Sequence, residues 1–89
     1  MHKVIITHEV SEEVKERLRS QAEIQEVFDR KTLLSVVADA DAIHGSGSLR
    51  VDEELLGAAP KLKMVALASV GYNNFDLEAM RSHGVLGAH

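Results

Sequence analysis

Runs of apolar β-branched residues alternate along this chain with segments whose apolar positions recur every three or four residues. Lys3-Val4-Ile5-Ile6-Thr7 is apolar without alternation, the pattern of a strand buried on both faces. Ser11 then stands as an N-cap, with Glu12 and Glu13 in the first turn, where the helix dipole favours negative charge. Val14, Leu18 and Ala22 follow at four-residue spacing as an apolar stripe, and Glu13 and Arg17 face each other at i, i+4 on the solvated side. Glu23 to Phe28 predicts a weak strand near a sheet edge, and Thr32 to Ala38 a short helix. Ala40 to Ile43 predicts a third strand, cut off by the loop Gly45-Ser46-Gly47-Ser48. Asp52 caps a helix from Glu53 to about Ala58, which Pro60 stops because the residue before proline avoids helical geometry. Lys63 to Ala68 is the fourth strand. Asp76 caps a helix through His83, Gly84 closes it, and Val85 to Ala88 begins a fifth strand.

Strict alternation of strand and helix with short connections predicts an α/β fold, a parallel sheet of about five strands with helices on both faces. The chain has 89 residues, enough for one domain, and 45% of them are apolar, which argues against disorder. Phe28, Tyr72 and Phe75 are its only aromatic residues, so aliphatic side chains must build the core. A net charge of -4 without a basic cluster disfavours nucleic acid and anionic membranes as partners. No apolar run approaches the ~20 residues of a membrane span, and the segment after Met1-His2-Lys3 is too short and too soon interrupted to read as a signal peptide. The absence of cysteine excludes disulfides and thiolate chemistry and suits a reducing cytoplasm.

In a parallel sheet every strand points its C-terminus to one edge, and ligands bind there. Three loops reach that edge: Thr7-His8-Glu9, His44 to Leu49, and Ser69 to Asn74. Gly45-Ser46-Gly47-Ser48 offers backbone N–H groups unobstructed by side chains, which fits an anion-binding loop or a plain βα turn. It is neither a P-loop nor a dinucleotide fingerprint. In Ser69-Val70-Gly71-Tyr72, the glycine allows close backbone approach, which fits either a plain tight turn or a loop whose Val70 and Gly71 N–H groups hold an anionic oxygen. The five histidines fall on separate elements with no zinc-binding spacing. His8 and His44 are placed to share the ligand edge, where one could act as a general acid with Glu9 as the one evident partner carboxylate, but solvated loop histidines are the stronger reading.

In order and spacing, the motifs Asp39-Ala40-Asp41-Ala42-Ile43, Gly45-Ser46-Gly47-Ser48, Val51-Asp52-Glu53-Glu54-Leu55-Leu56 and Ala59-Pro60-Lys61-Leu62-Lys63 form a set with Ala68-Ser69-Val70-Gly71-Tyr72-Asn73-Asn74-Phe75-Asp76 and Gly84-Val85. With this set the chain resembles the N-terminal part of the D-isomer-specific 2-hydroxyacid dehydrogenases, near the glyoxylate/hydroxypyruvate reductases and phosphoglycerate dehydrogenases. The resemblance implies a flavodoxin-like substrate-binding domain over residues 1–89, with strand order 2-1-3-4-5. It implies that Val70 and Gly71 hold a substrate carboxylate, that Ser46, Gly47 and Ser48 line the same cleft, and that the parent reaction moves hydride between NAD or NADP and a small 2-oxo or 2-hydroxy acid.

The family's cofactor fingerprint, its catalytic arginine and glutamate, and its acid–base histidine match nothing in this sequence. The chain alone is therefore expected to bind no cofactor and to be inactive. The fold's last helix is also missing, so the face it shares with the first helix is expected to be uncovered and to drive self-association. A stand-alone flavodoxin-like ligand- or partner-binding module is the alternative. A phosphoryl-receiver version of it is opposed by Thr7-His8-Glu9, where an acidic pair would stand, and by Ile43-His44, where a phosphorylated aspartate would stand.

Overall fold

The computed structural model describes residues 2–46, 49–67 and 75–88. Its elements are β1 (His2–Ile6), α1 (Glu12–Arg19), β2 (Ala22–Glu26), α2 (Arg30–Val36), β3 (Ala42–Gly45), α3 (Glu53–Ala58), β4 (Met64–Leu67), α4 (Leu77–Ser82) and β5 (Leu86–Ala88), with a 3₁₀ turn over Val37–Asp39. The five strands form one wholly parallel sheet in the order β2-β1-β3-β4-β5. This is the predicted α/β architecture and strand order.

Each helix start is set by a side-chain cap. Ser11, Asp29, Asp52 and Asp76 accept from the N–H groups of Val14, Thr32, Leu55 and Ala79 respectively. Gly84 closes α4 with φ 70°, a left-handed conformation that favours glycine, and Val85 N–H returns to the Met80 carbonyl at 2.8 Å.

Several boundaries differ from the sequence reading, and three of them have a clear physical reason. The helix α1 ends at Arg19, so Ala22 does not extend its stripe but opens β2, where it is buried. None of the residues of α1 is buried, and Val14 is 38% exposed. The short second helix starts two residues earlier than expected, at Arg30, because Asp29 caps it. Finally, β3 runs on through Gly45, which pairs with Leu67 in the ladder rather than opening the loop. A Cβ at Gly45 would lie 2.6 Å from the Leu49 side chain and 3.1 Å from Thr7 Oγ1, so only glycine allows that close approach.

Side chains opposite one another in a parallel ladder share a face, so the register assigns two sides to the sheet. Ile5, Ile43 and Val65 are matched across β1, β3 and β4 and are 0–1% exposed. They belong to one apolar cluster with Leu33, Leu55, Leu56, Ala79 and Met80, contributed by α2, α3 and α4. On the other side the matched row reads Ile24, Val4, Ala42, Met64, Leu86. Its exposure rises towards β5, to 40% at Met64 and 71% at Leu86. Among the described residues α1 is the helix on that side. It packs against β2, and Lys15 reaches Glu26 at 3.4 Å.

Candidate functional site

The C-terminal edge of the sheet gathers the ends of β1, β3 and β4, and the loops that leave them. Ser46 follows directly on β3. It is half-buried, and its carbonyl accepts the Leu49 N–H at 3.0 Å. Gly47, Ser48, Val70 and Gly71 lie outside the described residues. What the structure does fix is where the two candidate loops end. Val51 and Phe75 form an isolated parallel bridge, and Asp76 N–H donates to the Val51 carbonyl at 2.8 Å. Val51 is fully buried and Phe75 is 8% exposed, so this tie sits in the core rather than at the rim. The loops after β3 and β4, separated by more than twenty positions in sequence, are thus joined before they enter α3 and α4.

The loop after β3 is also held from the side. Arg30, the first residue of α2, donates from Nη1 to the Arg50 carbonyl at 2.8 Å and from Nη2 to Asp52 Oδ1 at 2.7 Å, with Glu54 Oε1 at 3.1 Å. Arg50 Nε donates to the second oxygen of Asp52 at 2.9 Å. Burial opposes ionisation of Asp52, but the Leu55 N–H and the guanidinium of Arg30 outweigh it and hold the carboxyl below its ordinary range. Beside this cluster lies a cleft of about 220 Å³ lined by Thr7, Phe28, Arg30, Leu33, Leu49 and Arg50. Phe28 is 60% exposed at its mouth.

His8 and His44 are not separate solvated residues. Nε2 of His8 lies 2.8 Å from Nδ1 of His44, with ring planes 18° apart and centroids 4.9 Å apart, so one ring donates and the other accepts. Both are half-buried. Burial, and secondarily the neighbouring His8, push the pKa of His44 below the ordinary 6.5. A group whose folded pKa is depressed contributes stability above its unfolded pKa and loses it as pH falls. Urea stability is therefore expected to fall as pH drops below about 6.5, and His44→Gln to flatten that slope. An unchanged slope in the variant would remove the histidine pair as its cause.

Among the described residues, no three His, Asp or Glu side chains are grouped to hold a metal ion. The turn after β1 is not built as a dinucleotide cradle. The first βα turn, Thr7 to Ser11, carries His8, Glu9 and Val10 where close approach of a pyrophosphate needs glycine. No described helix is long and apolar enough to cross a membrane.

Comparison with known proteins decides the family. Residues 4–89 match the family model described as D-isomer specific 2-hydroxyacid dehydrogenase, catalytic domain. The chain belongs to the D-isomer-specific 2-hydroxyacid dehydrogenases. It is 41% identical over 85 residues to D-3-phosphoglycerate dehydrogenase of Mycobacterium leprae, an alignment covering 93% of this chain and 16% of that protein. It is 40% identical over 88 residues to glyoxylate reductase of Thermococcus onnurineus, covering 93% of this chain and 26% of that protein. Its fold matches a crystal structure of a protein from Pyrococcus horikoshii with a TM-score of 0.92 and 26% identity, over 100% of this chain and 28% of that one. The chain thus spans about a quarter or less of the curated relatives named.

In this 2-hydroxyacid dehydrogenase domain, sequence reasoning missed two side-chain arrangements at the C-terminal edge of the sheet. Arg30 carries no motif, and only the Asp29 cap, three residues before Thr32, marked the start of its helix. The contact between His8 and His44 was available in principle, because parallel pairing of β1 and β3 sets Ile6 opposite His44 and brings the residues after Ile6 to its side.

Proposed function

We propose that this chain is the substrate-binding part of an NAD(P)-dependent oxidoreductase that reduces small 2-oxo acids, such as glyoxylate or hydroxypyruvate, to D-2-hydroxy acids in the cytoplasm. The observation that carries this reading is the Val51–Phe75 bridge, which joins the ends of two candidate loops at the ligand edge of a domain of this family. The N–H groups of Val70 and Gly71 receive the substrate carboxylate, and Ser46, Gly47 and Ser48 wall the same cleft. The nicotinamide cofactor, when bound by the rest of such an enzyme, supplies the hydride. The residues of this chain bind and orient the acid and contribute neither hydride nor proton, so the chain by itself is inactive.

The test is a titration of the full 89-residue chain with glycolate, followed by amide chemical shifts. Shifts at Ser46, Val70 and Gly71 are expected at millimolar concentration, and unmoved amides there would defeat the cradle. With NADH and glyoxylate the same sample is expected to show no loss of cofactor absorbance beyond a mock purification. The open face of the sheet supports a further part of the proposal, that two copies associate through the row from Val4 to Leu86.

A further inference from the structure

We infer that Arg30 is a positioning residue for the candidate cleft: it fixes where the loop after β3 ends and, through that point, where the loop after β4 ends. The inference rests on reading those loops as the carboxylate cradle.

The guanidinium of Arg30 serves no purpose within its own helix. Its side chain is 26% exposed, and its recorded partners, the Arg50 carbonyl, Asp52 and Glu54, all lie across the gap between α2 and α3. Asp29 closes α2 through Thr32 without its help, while Arg30 Nη2 bonds the same Asp52 Oδ1 that closes α3 through the Leu55 N–H. What Arg30 adds is a tie between the two helix starts. That tie lands on the carbonyl just before Val51, and Val51 accepts the Asp76 N–H. Upstream, Leu49 packs against Gly45 and donates to Ser46. A connected path therefore runs from α2 through Arg50 and Val51 to the start of α4. The planar fork matters, because it meets a carbonyl and two carboxylates at once, which a single ammonium does not.

Amide hydrogen exchange on the full chain tests this with Arg30→Met, Arg30→Lys and Glu54→Gln. The Leu49 and Asp76 amides are expected to exchange roughly tenfold faster in Arg30→Met and roughly threefold faster in Arg30→Lys. Glu54→Gln, which keeps the bonds to Arg50 and Asp52, is expected to stay near wild type. The amides of Ile5, Ile43 and Val65 are expected to hold their wild-type rates throughout. Unchanged Leu49 and Asp76 in Arg30→Lys overturns the inference, and so does an equal acceleration at Ile5, Ile43 and Val65, the signature of general destabilisation. Arg30→Lys decides the matter alone if Arg30→Met does not fold. The glycolate titration is read separately: absent shifts in wild type remove the cradle, whereas the positioning role stands or falls on exchange.

Discussion

Ile43→Ala is expected to lower the unfolding free energy by about 3–5 kcal/mol, a large share of the roughly 5–10 kcal/mol that holds a domain of this size together. Ile43 stands at the centre of the sheet with 1% of its surface exposed, between Ile5 and Val65 and under the helices α2, α3 and α4. Truncation leaves a cavity that close-packed neighbours on three sides fill poorly. Leu86→Ala is the matched control. It removes a side chain of similar size from the same sheet, but from the opposite face at 71% exposure, and is expected to cost less than about 0.5 kcal/mol in the monomer. Urea unfolding at low protein concentration compares the two, and a loss below about 1 kcal/mol for Ile43→Ala would mean the core lies elsewhere.

The second large effect is on assembly. Wild-type protein at micromolar concentration is expected to scatter light as a dimer or larger species, and the double variant Met64→Lys, Leu86→Lys as a monomer. The two residues face each other in the β4–β5 ladder and are the most exposed members of the apolar row that begins at Ile24. An ammonium placed there is solvated in the monomer and desolvated in any interface formed by that row, so charge acts on association far more than on folding. A monomeric wild type would remove the association outright. An associated double variant would move it to another surface.

Much of this molecule is legible in its sequence because local signals agree with the fold. Ser11, Asp52 and Asp76 each announce a helix that the structure contains, and Pro60 and Gly84 announce two ends. The unbroken apolar runs of β1 and β4 mark strands, although β4 is covered on one face only, with Val65 and Leu67 buried and Met64 40% exposed. Legibility fails where tertiary contacts overrule local pattern. Ala22 continues a helical stripe at four-residue spacing, yet ladder pairing with His2 draws it into β2. Gly45 looks like the first residue of a turn, yet its missing side chain is what lets β3 continue beneath Leu49. Phe28 and Phe75 look alike in sequence, but one is exposed at a cleft and the other ties two loops in the core. The partners of Arg30 lie 20 to 24 positions away, a separation at which no helical or strand periodicity applies.

The four capping side chains have a consequence for how an anion is met. All four helices begin at the ligand edge, three of them behind an aspartate, and Glu12, Glu13, Glu53, Glu54 and Glu78 occupy their first turns. The partial positive charge of each helix start is spent on the chain's own oxygens. A carboxylate approaching this edge meets those first-turn carboxylates interspersed with the guanidinium groups of Arg30 and Arg50 at the neighbouring cleft.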